Sequence, residues 1–187
     1  MKTSVLKFCV VIFVLFHFSN STVFAQKVAE NFTAKNAIYL ELGGSSGIYA
    51  VNYSRIFHQK GKLKLNASAG FSMWPNTIIN SKAYWYPAIP LEVSAFYGKS
   101  NHHLELGVGV IPYLTRDLVL EVTSNSSKNI FVLGALVPLR VGYRYQKLEG
   151  GFFFRIGYTP FFNVPIGGRE DWVFTPVFAG LSIGKSF

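Results

Sequence analysis

Alternation of apolar and polar residues runs through most of this chain and constrains its fold more than any other feature. Between residues 62 and 73, for example, Leu63 and Leu65 flank Lys64, and the pattern continues to Met73. Successive side chains of a β-strand point to opposite faces, so a period of two predicts strands. The pattern recurs in eight segments: 38–42, 48–57, 62–73, 89–97, 103–111, 138–146, 152–160 and 173–187.

The two faces of these segments differ in chemistry. One face is apolar, as in Leu104, Leu106 and Val108, whereas the opposite face carries three carboxylates and four cations. A soluble sandwich or lipocalin keeps its apolar face inside, but a membrane barrel turns that face outward and keeps its polar face inside. The sequence therefore predicts an all-β fold, an eight-stranded antiparallel up-and-down transmembrane β-barrel.

The charged residues of the polar face are predicted to pair with one another inside the barrel. An eight-stranded barrel has an interior just wide enough to be filled by its own side chains. An isolated ion buried there would cost several kcal/mol, so each charge needs a partner. The predicted lumen ion-pair network consists of Glu41, Lys64, Glu92, Glu105, Arg140, Arg144 and Arg155.

The first 25 residues have the layout of a secretory signal peptide. Lys2 and Lys7 precede an apolar run at 8–16, and small residues lead to a cleavage site near Ala25–Gln26. The apolar run is too short for a membrane helix. We therefore expect a signal peptide at 1–25 and a barrel domain at 26–187. The single cysteine, Cys9, lies inside the leader, so no disulfide or lipid anchor is expected in the mature chain.

The connections between strands predict an orientation. If the mature N-terminus is periplasmic, the short basic links at 58–61, 98–102 and 146–150 are periplasmic, and the links at 43–47, 74–88, 116–129 and 163–171 are extracellular. Short periplasmic turns and longer outer loops are typical of outer-membrane barrels. Aromatic residues are predicted to form two interfacial bands. The outer band is Trp74, Tyr84, Trp85, Tyr86, Tyr113 and Trp172, and the inner band is Tyr53, Phe57, Tyr97, Tyr143, Tyr145, Phe152 and Phe187.

Proline is the main evidence against continuous strands, because a proline cannot donate a ladder hydrogen bond. Five prolines interrupt strand-like segments, and in this topology all five lie toward the extracellular rim. We interpret them as bulges or strand ends there; the alternative is that the strands stop and the rest is loop. The five are Pro90, Pro112, Pro138, Pro160 and Pro176.

The chain resembles the small outer-membrane β-barrel proteins of Gram-negative bacteria, the class that includes outer-membrane protein A-like and protein X-like barrels. The resemblance lies in IYLELGGSSGIYAVNYSRIF, IPLEVSAFYGKSNHHLELGVGV, LRVGYRYQKLEGGFFFRIGYTPFF and the terminal GLSIGKSF. It implies a place in the cell outer membrane, with outer-membrane lipids and the barrel-insertion machinery as partners and Phe187 as the insertion signal. Lys185 departs from the usual aromatic or apolar residue two positions before the end.

The expected function is non-enzymatic: a structural role, or binding and adhesion through extracellular loops by a monomeric barrel. Lipid-modifying outer-membrane enzymes need a histidine near the outer rim, yet His58, His102 and His103 fall in the periplasmic links and His17 in the leader. A narrow pore, such an enzyme and a secreted lipocalin-like binder are the alternatives. No catalytic residue, cofactor or metal site is predicted. No nucleic-acid partner is predicted either, because the basic residues are scattered along the chain rather than clustered.

Overall fold

A computed structural model describes residues 31–78, 82–121, 126–164 and 172–187 of the chain. The predicted leader at 1–25 lies outside the described residues. Within these ranges no helix is long and apolar enough to cross a membrane. The elements are a short 3-10 turn at Gly44–Ser46 and the strands β1 (Asn36–Gly43), β2 (Tyr49–Lys60), β3 (Leu63–Ile78), β4 (Lys82–Ala88), β5 (Leu91–Lys99), β6 (His102–Glu121), β7 (Ser126–Gln146), β8 (Gly151–Tyr158), β9 (Phe161–Val164), β10 (Val173–Thr175) and β11 (Ala179–Ser186).

Eight of these strands close into a ring in which every neighbouring pair is antiparallel. The order around the ring is β1, β2, β3, β5, β6, β7, β8 and β11. The ring closes where β1 pairs with β11, from Ala37 opposite Ser186 to Gly43 opposite Gly180. The predicted eight-stranded up-and-down barrel is therefore confirmed, and each of the eight predicted segments contributes one barrel strand.

Burial alternates along the barrel strands as the sequence predicts. In β5, Glu92, Ser94 and Phe96 are buried. Their neighbours Leu91 and Val93 are exposed on the outer surface. Because the side-chain period of a strand is two, a single register places the whole polar set of each strand inside the ring. The barrel thus has a charged interior and an apolar exterior.

Five pairings among the described strands extend the structure beyond the ring at one end, which we call the hairpin end. β4 pairs with β3 and, at Ala88 opposite Tyr113, with β6. β6 continues to pair with β7 out to Glu121 opposite Ser126, and β9 pairs with both β7 and β10. The prediction of a loop at 74–88 is therefore wrong for most of its residues. At 116–129, where the apolar Leu118, Val119 and Leu120 also suggest a strand extension, the extension is what the structure shows for 116–121 and 126–129. Strands pair through backbone groups alone. A hairpin whose two faces do not differ in polarity can therefore form without an alternation of apolar and polar residues in its sequence.

The five prolines that interrupt strand-like segments of the sequence lie at the boundary between the ring and these hairpins. Pro90 and Pro160 lie in breaks between strands, and Pro176 lies in the break that divides the predicted strand 173–187 into β10 and β11. Pro112 and Pro138 lie inside β6 and β7, beside an interruption of their pairing. The carbonyls of Pro90, Pro112 and Pro160 still accept backbone hydrogen bonds of 2.8, 3.0 and 2.8 Å from neighbouring strands. Each proline therefore lacks an N–H donor for the barrel wall, but its carbonyl oxygen remains an acceptor.

The opposite end, which we call the turn end, carries the short turns at 61–62, 100–101 and 147–150. Residues 31–35 fold across this end rather than running away from it. The Phe32 amide donates to Gln59 Oε1 at 2.7 Å, and the Thr33 and Ala34 amides both donate to the Leu148 carbonyl at 3.1 Å. These bonds attach the segment to the end of β2 and to the turn at 147–150.

Aromatic residues occupy both ends of the barrel, with two clear departures from the predicted bands. Trp85 and Trp172 at the hairpin end are exposed. Tyr86 and Trp74, however, pair with each other on the inward face of the β3–β4 hairpin, where Tyr86 is buried and Trp74 packs on Tyr113 with ring centroids 5.2 Å apart. The assignment of Tyr86 and Trp74 to the outer band is therefore wrong. At the turn end the exposed aromatics are Tyr53, Phe57, Tyr97, Phe152 and Phe187.

Closure of the ring can be tested by crosslinking β1 to β11. In a Cys9→Ser background, the pair Leu40→Cys and Ile183→Cys should form a disulfide on mild oxidation, because these residues lie directly opposite each other and opposed Cβ atoms lie ~5 Å apart. The measurement is mobility on a non-reducing gel after boiling. The pair Leu40→Cys and Ser182→Cys is the control, because its two side chains point to opposite faces. Equal crosslinking of both pairs would contradict this closure.

Candidate functional site

The most unusual feature of the structure is the cluster of charged side chains inside the ring, which we call the interior network. Its three carboxylates come from β1, β5 and β6, and its three guanidinium groups come from β7 and β8. Each lies on the inward face because of its position in the alternation of its strand. The side chains are at most 3% exposed, and the members are Glu41, Glu92, Glu105, Arg140, Arg144 and Arg155.

Arg155 lies at the centre of the interior network and contacts all three carboxylates. Its Nη1 lies 2.7 Å from Glu92 Oε1 and 3.4 Å from Glu105 Oε1. Its Nη2 lies 3.3 Å from Glu41 Oε2 and donates to the Tyr39 hydroxyl at 3.2 Å. The guanidinium carbon also lies 4.9 Å from the centroid of the Tyr39 ring. One side chain therefore links β8 to strands on the far side of the ring.

Arg140 joins the two carboxylates on the hairpin side of the interior network. Its Nε donates to Glu92 Oε2 at 3.0 Å, and its Nη2 forms an ion pair with Glu41 Oε1. Arg140 and Arg155 thus share Glu41 and Glu92 between them. Because each carboxylate oxygen has more than one lone pair, two guanidinium groups can be satisfied by the same pair of acids.

Arg144 holds the turn side of the interior network. Its Nη1 lies 3.1 Å from Glu105 Oε1, and its Nε and Nη2 donate to Gln146 Oε1 at 3.0 and 2.7 Å. The guanidinium lies between two aromatic rings, 4.3 Å from the centroid of Phe96 and 4.9 Å from that of Phe153. Contact with ring faces stabilises a cation that is shielded from water.

The structure brings six of the seven predicted network residues together and places Lys64 apart from them. Lys64 is buried on the inward face of β3, and its Nζ lies 5.6 Å from the Phe32 ring centroid. It forms no ion pair with any residue that the structure describes. Phe187, the predicted insertion signal, exchanges backbone hydrogen bonds of 2.8 and 3.0 Å with Asn36, and its side chain is exposed. Its role in insertion stays a prediction.

Neutral side chains add hydrogen bonds to the charges of the interior network, and sequence reasoning did not assign these bonds. Ser94 Oγ donates to Glu105 Oε1 and Ser46 Oγ donates to Glu41 Oε2, both at 2.7 Å. Ser182 Oγ accepts from Arg155 Nε at 3.3 Å. Ser94 and Ser182 are buried on the polar face of their strands, as the alternation of the sequence indicates. Their partners could not be read from it, because partner choice depends on how the strands are staggered around the ring.

The turn end of the interior is filled by apolar side chains. Phe32, 1% exposed, packs edge-to-face on Phe96 with ring centroids 5.7 Å apart, and Ile56 and Leu148 complete the cluster. The His103 ring lies 5.4 Å from Phe32 and 5.1 Å from Phe96. The side chain of a residue before β1 therefore occupies the barrel mouth at this end.

The hairpin end of the interior is covered by the 3-10 turn at Gly44–Ser46, whose three residues are buried. Gly44 has a φ of +62°, and a Cβ there would lie 2.9 Å from the Gly180 Cα and 2.7 Å from Glu41 Oε1. Only glycine fits that conformation and that spacing. The turn is thereby placed directly over the interior network, where Ser46 reaches Glu41.

The interior network is a structural site in its chemistry, because its carboxylates are paired with guanidinium groups. Within the described ranges, no group of three or more histidine, cysteine, aspartate or glutamate residues has the arrangement to hold a metal ion. Three carboxylates and three guanidinium groups balance in charge, and both ends of the interior are covered by side chains or backbone. The arrangement pairs the charges and closes the interior.

Comparisons with known proteins add one structural similarity. No protein-family model matches the chain, and no curated protein matches it in sequence. The N-terminal β-barrel domain of OprF from Pseudomonas aeruginosa is similar in structure, with a TM-score of 0.45 and 13% sequence identity over 82% of this chain and 96% of that chain. At that identity and score, the similarity says nothing about activity or partners.

Removal of Arg155 should destabilise the barrel more than removal of any exposed cation. In Arg155→Met, three buried carboxylates would share one fewer guanidinium, and breaking a buried ion pair costs about 3–5 kcal/mol. The measurement is urea unfolding of the detergent-folded protein, followed by tryptophan fluorescence and gel mobility. Lys147→Met in an exposed turn is the control and should change stability by less than about 0.5 kcal/mol. A loss below about 1 kcal/mol for Arg155→Met would show that the interior network does not hold the fold.

Proposed function

We propose that this chain is an integral outer-membrane β-barrel protein that acts without catalysis, as a structural element of the envelope and as a carrier of outer hairpins that bind a partner. The observation that carries the proposal is the inverted polarity of the barrel. Of the seven charged side chains that the described structure buries inside the ring, six form ion pairs, while large apolar side chains cover its outside. Water as the outer solvent would make that distribution unfavourable, and lipid would make it favourable.

The apolar exterior is continuous around the ring. On β6, Leu104, Leu106 and Val108 are 71%, 60% and 52% exposed. Monomeric soluble proteins rarely expose contiguous apolar patches larger than a few hundred Å², whereas here every barrel strand contributes. Other exposed apolar residues on the same surface are Ile38, Leu40, Leu42, Val51, Phe71, Leu91, Val93, Leu139, Val141, Ile156, Leu181 and Ile183. This surface supports a bilayer as the surroundings of the barrel.

A lipocalin-like binder would need the opposite arrangement, with a greasy cavity inside and polar residues outside. Here the largest fully buried side chains include Arg140, Arg144 and Arg155. An apolar ligand placed among them would separate ion pairs in a medium of low dielectric constant, which costs several kcal/mol per ion. The interior therefore favours the membrane barrel over the secreted binder.

The closed interior favours a sealed barrel over a narrow pore. Phe32 and Leu148 cover the turn end, and the Gly44–Ser46 turn covers the hairpin end. Between them, Arg155 reaches from β8 to Glu41 and Glu92. An ion path would have to break these contacts, which agrees with the filled interiors of eight-stranded barrels.

The positions of the histidines support the absence of catalysis at the outer rim. His103 is buried between Phe32 and Phe96 at the turn end, and His102 lies 2.6 Å from the Tyr143 hydroxyl on the same end. General-base chemistry on an outer-leaflet lipid requires an imidazole within hydrogen-bond reach of its nucleophile at the outer rim. We therefore favour the non-enzymatic role over the lipid-modifying alternative.

The hairpins are the parts of the described structure that are best placed to meet an extracellular partner. β6 and β7 remain paired for ten register positions beyond Ile111 and Leu136, which corresponds to a length of about 34 Å along the strands at the usual rise per residue. The β9–β10 pair is much shorter, with three register positions. The β6–β7 hairpin therefore stands above the rest of the outer surface, as expected for a contact element.

The proposal predicts a depth-dependent effect of charge on the outer surface. Leu106→Arg, at mid-height on the exterior of β6, should destabilise the bilayer-inserted barrel by about 2–4 kcal/mol, because an arginine on the lipid face is costly at the bilayer midplane. The matched control is His102→Arg, on the same strand and face but at the turn end, where the cost should be about 0–1 kcal/mol. Unfolding from lipid vesicles in urea measures both.

If the protein were a soluble barrel, Leu106→Arg would instead be an ordinary surface substitution. Its effect would then stay within about 0.5 kcal/mol of zero, and the protein would remain in solution without detergent. Either result would contradict the membrane proposal. Heat-modifiable migration of the unboiled protein on a gel verifies that each variant is folded before its stability is measured.

The sealed interior predicts the absence of conductance. The folded protein in a planar bilayer should give no channel steps, because the interior network and the Phe32 cluster occlude the barrel. A porin measured in the same bilayer serves as the positive control. Reproducible steps that scale with salt concentration would contradict the sealed barrel and favour the pore.

A further inference from the structure

The exterior of the barrel is not uniformly apolar at the turn end, where cations enter the lipid-facing surface. Arg55 on β2 and Lys185 on β11 are exposed and point outward, in line with apolar residues of the same strands such as Val51 and Ile183. Neither forms an ion pair with a residue that the structure describes. Because neither cation has a carboxylate partner among the described residues, both are available to an anion from the surroundings.

The registers of the strands place Arg55 and Lys185 on either side of β1. Lys185 pairs with Ile38, which in turn pairs with Tyr53, and Arg55 lies two residues beyond Tyr53 and opposite Asn36. Across the strands, the Cα atoms of Arg55 and Lys185 are separated by two interstrand spacings, which is about 10 Å. Along the strands they are offset by two residues, which is about 7 Å. Long lysine and arginine side chains can span that separation and reach a single headgroup.

A shallow apolar depression adjoins Arg55 on the exterior. Ala69 on β3 points outward there and is smaller than its neighbours, and the backbone of Gly70 lies beside it. On β3, Ala67 lies opposite Arg55 and Ala69 lies opposite Tyr53. Ala69 is therefore the next outward-facing residue of β3 in the direction away from the turn end. The walls of the depression are Ile38, Val51, Tyr53 and Phe71. An extended hydrocarbon chain that starts beside Arg55 could therefore lie in this depression.

Further cations surround the turn end at the same level. Lys35, Lys60 and Lys99 are exposed, and the Lys62 Nζ lies 5.9 Å from the centroid of the Tyr97 ring. Aromatic rings such as that of Tyr97 favour the headgroup region of a membrane. The described carboxylate nearest in sequence to these turns is Glu149, in the 147–150 turn together with Lys147. The positive field is therefore strongest on the β1–β2–β3 side.

We propose that the outer surface of β11, β1, β2 and β3 at the turn end binds one anionic phospholipid, with Arg55 and Lys185 contacting its phosphate and the Ala69 depression holding an acyl chain. The inference rests on the proposed function, because it requires the exterior to face lipid. A phospholipid of the periplasmic leaflet is the occupant, since phosphate and acyl chain must be offered together at the turn end. Each cation near an anionic lipid surface contributes about 1 kcal/mol, which corresponds to about a fivefold change in affinity.

The test uses protein recovered from membranes and folded in a non-ionic detergent, titrated with dioleoyl phosphatidylglycerol or dioleoyl phosphatidylcholine and examined by native mass spectrometry. The wild type should bind phosphatidylglycerol at least fivefold more tightly than phosphatidylcholine. Arg55→Gln and Lys185→Gln should each weaken phosphatidylglycerol binding about fivefold. Ala69→Phe, which fills the depression, should weaken both lipids. Lys99→Gln, at the β5–β6 turn outside the four strands of this wall, is the matched control and should bind as the wild type does.

The outcomes that overturn the inference are distinct from those that overturn the membrane proposal. Equal binding of the two lipids, or unchanged binding in both Arg55→Gln and Lys185→Gln, would show that no such lipid site exists. Competition by millimolar inorganic phosphate would indicate a bare phosphate site, and tighter binding of lipid A or of soluble peptidoglycan fragments would indicate a different occupant. Failure of the protein to enter membranes at all would overturn the proposed function instead. Heat-modifiable migration identifies any variant that has not folded.

Discussion

The three-way contact of Arg155 with Glu41, Glu92 and Glu105 is the interaction on which the rest of the molecule depends. It lies at the centre of a ring whose outside is apolar, so the charges have no access to water and must be satisfied by one another. Coulomb attraction is strong in that medium, and it acts across the ring between β8 and strands that are not its neighbours. The backbone ladders join each strand only to the next, whereas the interior network joins strands that are not adjacent.

That arrangement explains why the two ends of the barrel are built so differently. At the turn end, Phe32 and its neighbours form a conventional apolar cluster that shields the ions from one side. At the hairpin end, a buried 3-10 turn shields them with backbone, and Ser46 adds a hydrogen bond to Glu41. Both covers lower the local dielectric constant and so strengthen the pairing beneath them.

Much of this could be predicted from the sequence, because a period of two fixes which face each residue occupies. The ring, the inward position of Arg140 and Arg144, and the outward position of Leu106 all follow from that rule alone. Pairing within the interior could not be assigned, because it depends on strand tilt and stagger, which leave no mark on the period. The same limit explains why Lys64, on the correct face, lies beside Phe32 rather than beside a carboxylate. The β3–β4 hairpin and the Phe32 cover were missed for another reason: their sequences do not alternate between apolar and polar residues.

The closure of the ring also bears on how the chain must be assembled. Leu40 at one end of the chain pairs with Ile183 near the other, so the wall has no complete set of hydrogen bonds until β11 has been made. Before that point β1 presents an unpaired edge and an apolar face together, the combination that promotes association with other chains. Pairings between such distant residues also form slowly. A barrel of this topology therefore passes through an open-sheet intermediate, which must be protected from aggregation until β1 pairs with β11.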